Sequence, residues 1–296
     1  MSRTVAAGTV TVGLDGSRES RAAAEWAAGE AQLRALPLRL VQVWEPLPEP
    51  MAQAPLPDAE TGRHRAGRIP RETAGELRLS HPGLDVRTEQ LPGGPAEVLC
   101  RAAAEAELLV LGSRGMSGIG GFLVGSVGLA VVAHAERPVV LVRAPETADG
   151  HGTGGAHGPV VLGLDTGRPS EELIEFALTE AARRGAAVRV VHGWSPKPSY
   201  AYALSVDPGF HETLAQYEST ALNELLHPWR EKFPDLEIVA ESRYGSPAAQ
   251  LVEASRDARL VVVGRRTRRG PGAHVGHVTH AVLHHCTAPV AVVPHD

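Results

Sequence analysis

The stretch Val10-Thr11-Val12-Gly13-Leu14-Asp15 returns 150 positions later as Val160-Val161-Leu162-Gly163-Leu164-Asp165. Each is an apolar, β-branched run that ends on an aspartate. So little polar alternation is what a strand needs when both faces of a parallel sheet are covered. The echo continues outward. Trp44 and Pro46 return as Trp194 and Pro196, and Gly93 and Pro95 as Gly245 and Pro247. Leu108 to Gly112 returns as Leu260 to Gly264, where the offset has grown only to 152. A register held over that length marks a duplication. Two domains are predicted, 1–147 and 159–296, joined by a linker at 148–158 that is rich in Gly and His and has no apolar period.

Within each copy the same series of elements reads off the pattern. A helical stretch (Glu19 to Leu36; Glu171 to Arg184) follows the first strand, and Leu38 to Trp44 or Ala187 to Trp194 forms the second. Pro-rich stretches from Glu45 to Gly62 and from Ser195 to Phe210 read as flaps. A second helix comes next, then a third strand (Asp85 to Leu91; Glu237 to Arg243) and a third helix opened by Pro95 or Pro247. A fourth strand (Leu108 to Leu111; Leu260 to Val263), a last helix and a closing strand (Pro138 to Val142; Pro289 to Val293) complete each copy. Strands alternating with helices imply right-handed crossovers. The expected fold is α/β: two tandem, open, doubly wound parallel sheets of five strands, Rossmann-like. Ligands of such sheets sit beyond the carboxyl ends of the strands, which puts Asp15 and the loop after Leu111 on one rim.

Composition narrows the function classes. A net charge of −5 lacks the basic footprint of a nucleic-acid binder. Met116 to Ala135 carries no formal charge and has the length of a membrane span, but its counterpart holds Arg268, Arg269 and several histidines, so a loop and helix is the better reading. Cys100 and Cys286 fall at unmatched places, which argues against a disulfide framework and for a reducing, cytoplasmic setting; no secretory signal pattern opens the chain.

The chemistry concentrates in the loop after the fourth strand of the first copy. Gly112, two residues, Gly115, nine residues, Gly125 and then Ser126 lead into a helix. Glycines let backbone N–H groups approach a phosphate, and a helix start adds free N–H groups and the positive end of its dipole. Ser126 is placed to cap that helix and to offer a hydroxyl to an anion. The spacing is neither a Walker A loop nor the dinucleotide fingerprint.

This glycine pattern, with Asp15 at a strand end and the closing Pro138-Val139-Val140-Leu141-Val142 strand, resembles the universal stress protein family, in its tandem ATP-binding branch. The resemblance implies a site in the first copy. Gly13, Leu14 and Asp15 would lie beside adenine and ribose, and the backbone of Val43 would read the adenine edge. Gly112, Arg114 and Gly115 would line ribose and phosphates, and Gly125, Ser126 and Val127 would hold the terminal phosphates of ATP with Mg²⁺. It further implies closing strands that pair across domains, a homodimer and a regulatory protein partner.

The second copy departs from the pattern. Gly163, Asp165, Gly193 and Gly264 remain as weaker candidates, with Arg266 as an anion donor, but Thr267 replaces Gly115, Gly276-His277 replaces Gly125-Ser126, and the loop is one residue shorter. Simpler readings stand beside these. Asp15 is also placed to cap the turn after its strand. His277, His280 and His284 share a helical face, yet no carboxylate anchors a metal set. The leading expectation is a nucleotide-dependent stress-response regulator. The alternatives are a slow ATPase or adenylyl-transfer enzyme, and a scaffold that binds no nucleotide.

Overall fold

The computed structural model describes residues 8–45, 67–113, 124–144, 158–196, 207, 209–267 and 275–296. The chain divides into two compact units, one built on Met1–Gly152 and the other on Thr153–Arg269 with Val275–Asp296. The 46–62 and 197–206 parts of the expected flaps, the linker up to 157, and Arg114, Gly115, Arg268 and Arg269 lie outside the described residues.

In the first unit the strands are β1 (Val10–Leu14), β2 (Leu38–Trp44), β3 (Val86–Pro92), β4 (Leu108–Ser113) and β5 (Val139–Arg143). All pair in parallel, in the order β3-β2-β1-β4-β5. The helices are α1 (Arg18–Arg34), α2 (Arg68–Ser80), α3 (Pro95–Ala104) and α4 (Ser126–His134). The second unit repeats the plan with β6 (Val160–Gly163), β7 (Val188–Trp194), β8 (Ile238–Tyr244), β9 (Leu260–Arg266) and β10 (Val290–His295). Their order is β8-β7-β6-β9-β10, again parallel. Its helices are α5 (Glu171–Arg184), α6 (Phe210–Lys232), α7 (Pro247–Ala254) and α8 (His277–His285). In each unit the strand order reverses beside the first strand, and in the first unit this opens a crevice between β1 and β4 at their carboxyl ends.

The expected strands and helices are present, with shifted ends. β4 and β9 run past Leu111 and Val263, so Gly112 and Gly264 are strand residues rather than loop residues. The first helices start differently in the two units. α1 is capped by Ser17, whose Oγ accepts from the Ser20 N–H at 3.1 Å, whereas α5 is capped by Ser170, the counterpart of Ser20. The turn before α1 relies on Gly16 at φ 82°, a conformation that its replacement Thr166 resists. Pro169 adds to this by keeping Arg168 out of the helical region.

Both units carry one ion-pair cluster at matched places. Arg39 binds Glu89 and Glu105, at 2.6 and 2.8 Å, and Arg189 binds Glu241 and Asp257, at 3.5 and 2.9 Å. Hydrogen bonds from Arg189 hold the Asp257 carboxyl below the usual carboxylate range. A depressed folded-state value contributes stability above the unfolded-state value, and that contribution is lost as the pH falls through the acid range. The Asp257 side chain is 62% exposed, so solvent screening keeps the effect small. Asp257→Asn is expected to cost under about 1 kcal/mol at neutral pH, and the difference from wild type should begin to shrink as the pH falls below about 4 and disappear only once the pH has passed the depressed folded-state value. Urea melts across pH measure both.

Candidate nucleotide site

At the crevice of the first unit lies a cavity of about 360 Å³. Its apolar wall is Val41 and Val43 of β2, Leu111 of β4, and Pro95 and Leu99 of α3. The other wall is small and polar: Gly13, Gly112, Gly125, Ser126 and Gly128, with Asp15, Ser17, Glu19 and Ser20 along the start of α1. Eight of the ten residues expected from the sequence line it, namely Gly13, Leu14, Asp15, Val43, Gly112, Gly125, Ser126 and Val127.

Each wall follows from local sequence. Val41 and Val43 are two apart in a strand and therefore share a face. Gly13 leaves room for the Leu111 and Leu99 side chains, whose Cδ2 atoms would stand 2.7 and 3.1 Å from an added Cβ. At Gly112 the constraint is close approach rather than unusual φ. A Cβ there would come within 2.6 Å of the Glu19 carbonyl carbon and 2.7 Å of the Ser20 nitrogen, both backbone atoms of α1. Asp15 is exposed; its Oδ1 accepts from the Ser17 N–H at 2.9 Å and the Ser17 hydroxyl at 2.5 Å. It thus caps the turn and lines the cavity at once.

Ser126 differs from expectation. The cap of α4 is Gly125, and Ser126 is the first helical residue, with no side-chain cap bond at that end. A residue at the first helical position cannot fold its hydroxyl back as a cap does, because the cap requires extended backbone. The first-turn residues 126, 127 and 128 all line the cavity, and their N–H groups are among those a helix leaves without an internal acceptor.

Several lining residues went unread in the sequence: Ser17, Glu19, Ser20, Val41, Pro95, Leu99, Leu111 and Gly128. Val41 was within reach through its two-residue spacing from Val43. Ser17 and Ser20 formed a Ser-x-x-Ser helix start that signalled the cap.

In the second unit Asp165 accepts from the Gly167 N–H at 3.0 Å and lies 3.8 Å from Arg266. Gly163 faces the Leu251 side chain as Gly13 faces Leu99, and Gly193 faces Pro247. Gly264 has the His295 ring, not the first helix backbone, where a Cβ would stand. This follows from the later start of α5. Thr267 donates its N–H to the His295 carbonyl at 2.7 Å and its hydroxyl to Asp296 at 2.6 Å. Gly276 caps α8 and His277 opens it. The His280 and His284 rings stand 4.3 Å apart, and among the described residues no group of three His, Cys, Asp or Glu is placed to hold a metal ion. No helix among them is long and apolar enough to cross a membrane.

A duplicated sheet of this order with a glycine-walled crevice defines a tandem α/β protein, and comparison with known proteins agrees. The universal stress protein family matches residues 7–143 and again 157–294. The chain belongs to that family. It is 34% identical over 295 residues to a universal stress protein of Mycobacterium tuberculosis, covering 96% of both chains. It is 33% identical over 297 residues to one of Mycolicibacterium smegmatis, again with 96% of each covered. The crystal structure of a universal stress protein from Archaeoglobus fulgidus shares the fold, with a TM-score of 0.66 at 17% identity, over 96% of this chain and 98% of that one.

Proposed function

We propose that the first unit binds ATP, accompanied by Mg²⁺, and that the protein is a cytoplasmic, homodimeric regulator in a stress response whose contact with a partner depends on the nucleotide it holds. The observation that carries this reading is the cavity at the strand-order reversal. Its apolar half suits a flat base, and its glycine half suits phosphates.

Asp15 is suited to the ribose hydroxyls. The uncapped start of α4 offers N–H groups and a positive dipole end to phosphate oxygens, with the Ser126 hydroxyl beside them. Gly112, Gly125 and Gly128 present no side chain to obstruct that approach. Arg114 and Gly115, outside the described residues, belong to the same proposed set. A magnesium ion would sit chiefly on phosphate oxygens and water. Regulation is favoured over turnover because the chain's two lysines, Lys197 and Lys232, both fall in the second half, and among the described residues the carboxylates lining the cavity are Asp15, which already accepts from Ser17, and Glu19.

Calorimetric titration with ATP and Mg²⁺ tests the reading. Asp15→Ala is expected to weaken binding by about tenfold or more, the order of one or two lost charged hydrogen bonds. Unchanged affinity in that variant removes Asp15 from the site, and no binding by the wild type overturns the proposal. Light scattering at micromolar protein tests the dimer, which a strictly monomeric result rejects.

A further inference from the structure

The serine that caps α1 does more than start a helix. Ser17 Oγ accepts from the Ser20 N–H at 3.1 Å, and the same hydroxyl donates its proton to Asp15 Oδ1 at 2.5 Å. The Ser17 N–H donates to that oxygen as well, at 2.9 Å. A hydroxyl has one proton to give, so the direction of this one is settled. Ser20 holds the cap in return, its hydroxyl donating to the Ser17 carbonyl at 3.0 Å. Gly112 lets β4 lie close to the peptide between Glu19 and Ser20, where a Cβ would stand 2.7 Å from the Ser20 nitrogen. The chain of contacts therefore runs from the strand end through the helix start to Asp15.

The second unit separates the two roles of this hydroxyl. There α5 is capped by Ser170, whose hydroxyl donates to Glu172 Oε2 at 2.8 Å and not to the strand-end carboxylate. At the place of Ser17 stands Gly167, which holds Asp165 Oδ1 by its N–H, at 3.0 Å, and has no hydroxyl to add. Capping the first helix does not require a bond to the aspartate.

We propose that Ser17 is a positioning residue: it fixes the orientation in which the Asp15 carboxylate meets a ribose hydroxyl of the bound nucleotide. The inference rests on the nucleotide reading of the first unit. Ser17 and Asp15 both line the cavity, and Asp15 is exposed. An exposed carboxylate without such anchors samples several orientations and loses that freedom when a ligand binds, whereas one gripped beforehand by an N–H and a hydroxyl has little left to lose.

Ser17→Gly tests the idea, because glycine is itself a favoured cap and removes only the hydroxyl. The nucleotide-free melting temperature of this variant should stay within about 2 °C of wild type. Calorimetric titration with Mg²⁺ present compares ATP with dideoxy-ATP, which lacks both ribose hydroxyls. Ser17→Gly is expected to bind ATP about three- to tenfold more weakly than wild type, and dideoxy-ATP within about twofold of wild type. Ser17→Thr keeps the hydroxyl and should restore ATP affinity. In an Asp15→Ala background Ser17→Gly should add no further loss, since the residue acts through Asp15. Equal losses for both nucleotides would leave Ser17 as a helix cap alone and overturn the inference, as would unchanged ATP affinity or a further loss in the Asp15→Ala background. Those results leave the nucleotide reading standing. A wild type that binds neither nucleotide overturns that reading and this inference with it. Should Ser17→Gly fail to fold, Ser17→Ala removes the same hydroxyl and is read by the same outcomes.

Discussion

Gly112→Ala is expected to lower both stability and nucleotide affinity, and to do so by more than the same change at Gly13. The new methyl at 112 would stand 2.6 to 2.8 Å from the carbonyl carbon and oxygen of Glu19 and the nitrogen of Ser20. These are backbone atoms in the first turn of α1, and they cannot rotate aside. Either α1 moves away from β4 or the strand end bends, and overpacking of this kind costs about 1–3 kcal/mol. At Gly13 the nearest atoms are the tips of Leu111 and Leu99, which can change rotamer. The stability loss there should be smaller, under about 1 kcal/mol. The affinity effect follows from the same geometry. Ser17, Glu19 and Ser20 line the cavity, so displacing α1 displaces one of its walls. Thermal melts of the nucleotide-free protein and titrations with ATP measure the two effects separately. A Gly112→Ala protein as stable as wild type would show that α1 yields without cost, and the glycine would then need another explanation.

The contrast between those glycines shows where sequence reasoning reaches its limit. Strands were legible because a strand covered on both faces is an apolar run, and the duplication made each run visible twice. Gly13, Asp15, Gly112 and Gly125 were legible as neighbours of one cavity because a parallel sheet sends its strand ends and the following loops to one rim. The reason for Gly112 was not legible. Its neighbours, Glu19 and Ser20, lie far away in the chain, and only packing brings them close. Gly16 and Thr166, followed by Pro169 in the second copy only, did carry a readable signal. Together they shift the helix start by a turn and leave room for the His295 ring over Gly264.

Buried charge was the other feature that pattern reading missed, because a helical period treats every glutamate and arginine as solvated. Glu180 on α5 is 1% exposed and binds Arg183 at 2.8 Å and Arg184 at 2.5 Å. Glu30 and Arg34 on α1 form the matching pair, both nearly fully buried. Glu180→Gln is expected to destabilise the second unit by about 3 kcal/mol or more, because it keeps the side-chain shape while removing the charge opposite a guanidinium that is only 7% exposed. The desolvation cost of Arg184 is incurred in either case, and the Glu180 carboxylate at 2.5 Å is a charge that offsets it. Urea or thermal melts give the magnitude, and the double variant Glu180→Leu with Arg184→Met gives the cause. Replacing a buried pair by apolar groups of similar volume is often close to neutral, so the double variant should recover most of the loss. If the double variant is as unstable as the single one, the loss comes from packing around Glu180 rather than from an uncompensated charge. The nucleotide affinity of the first unit should be unchanged in both variants, since α5 belongs to the other unit.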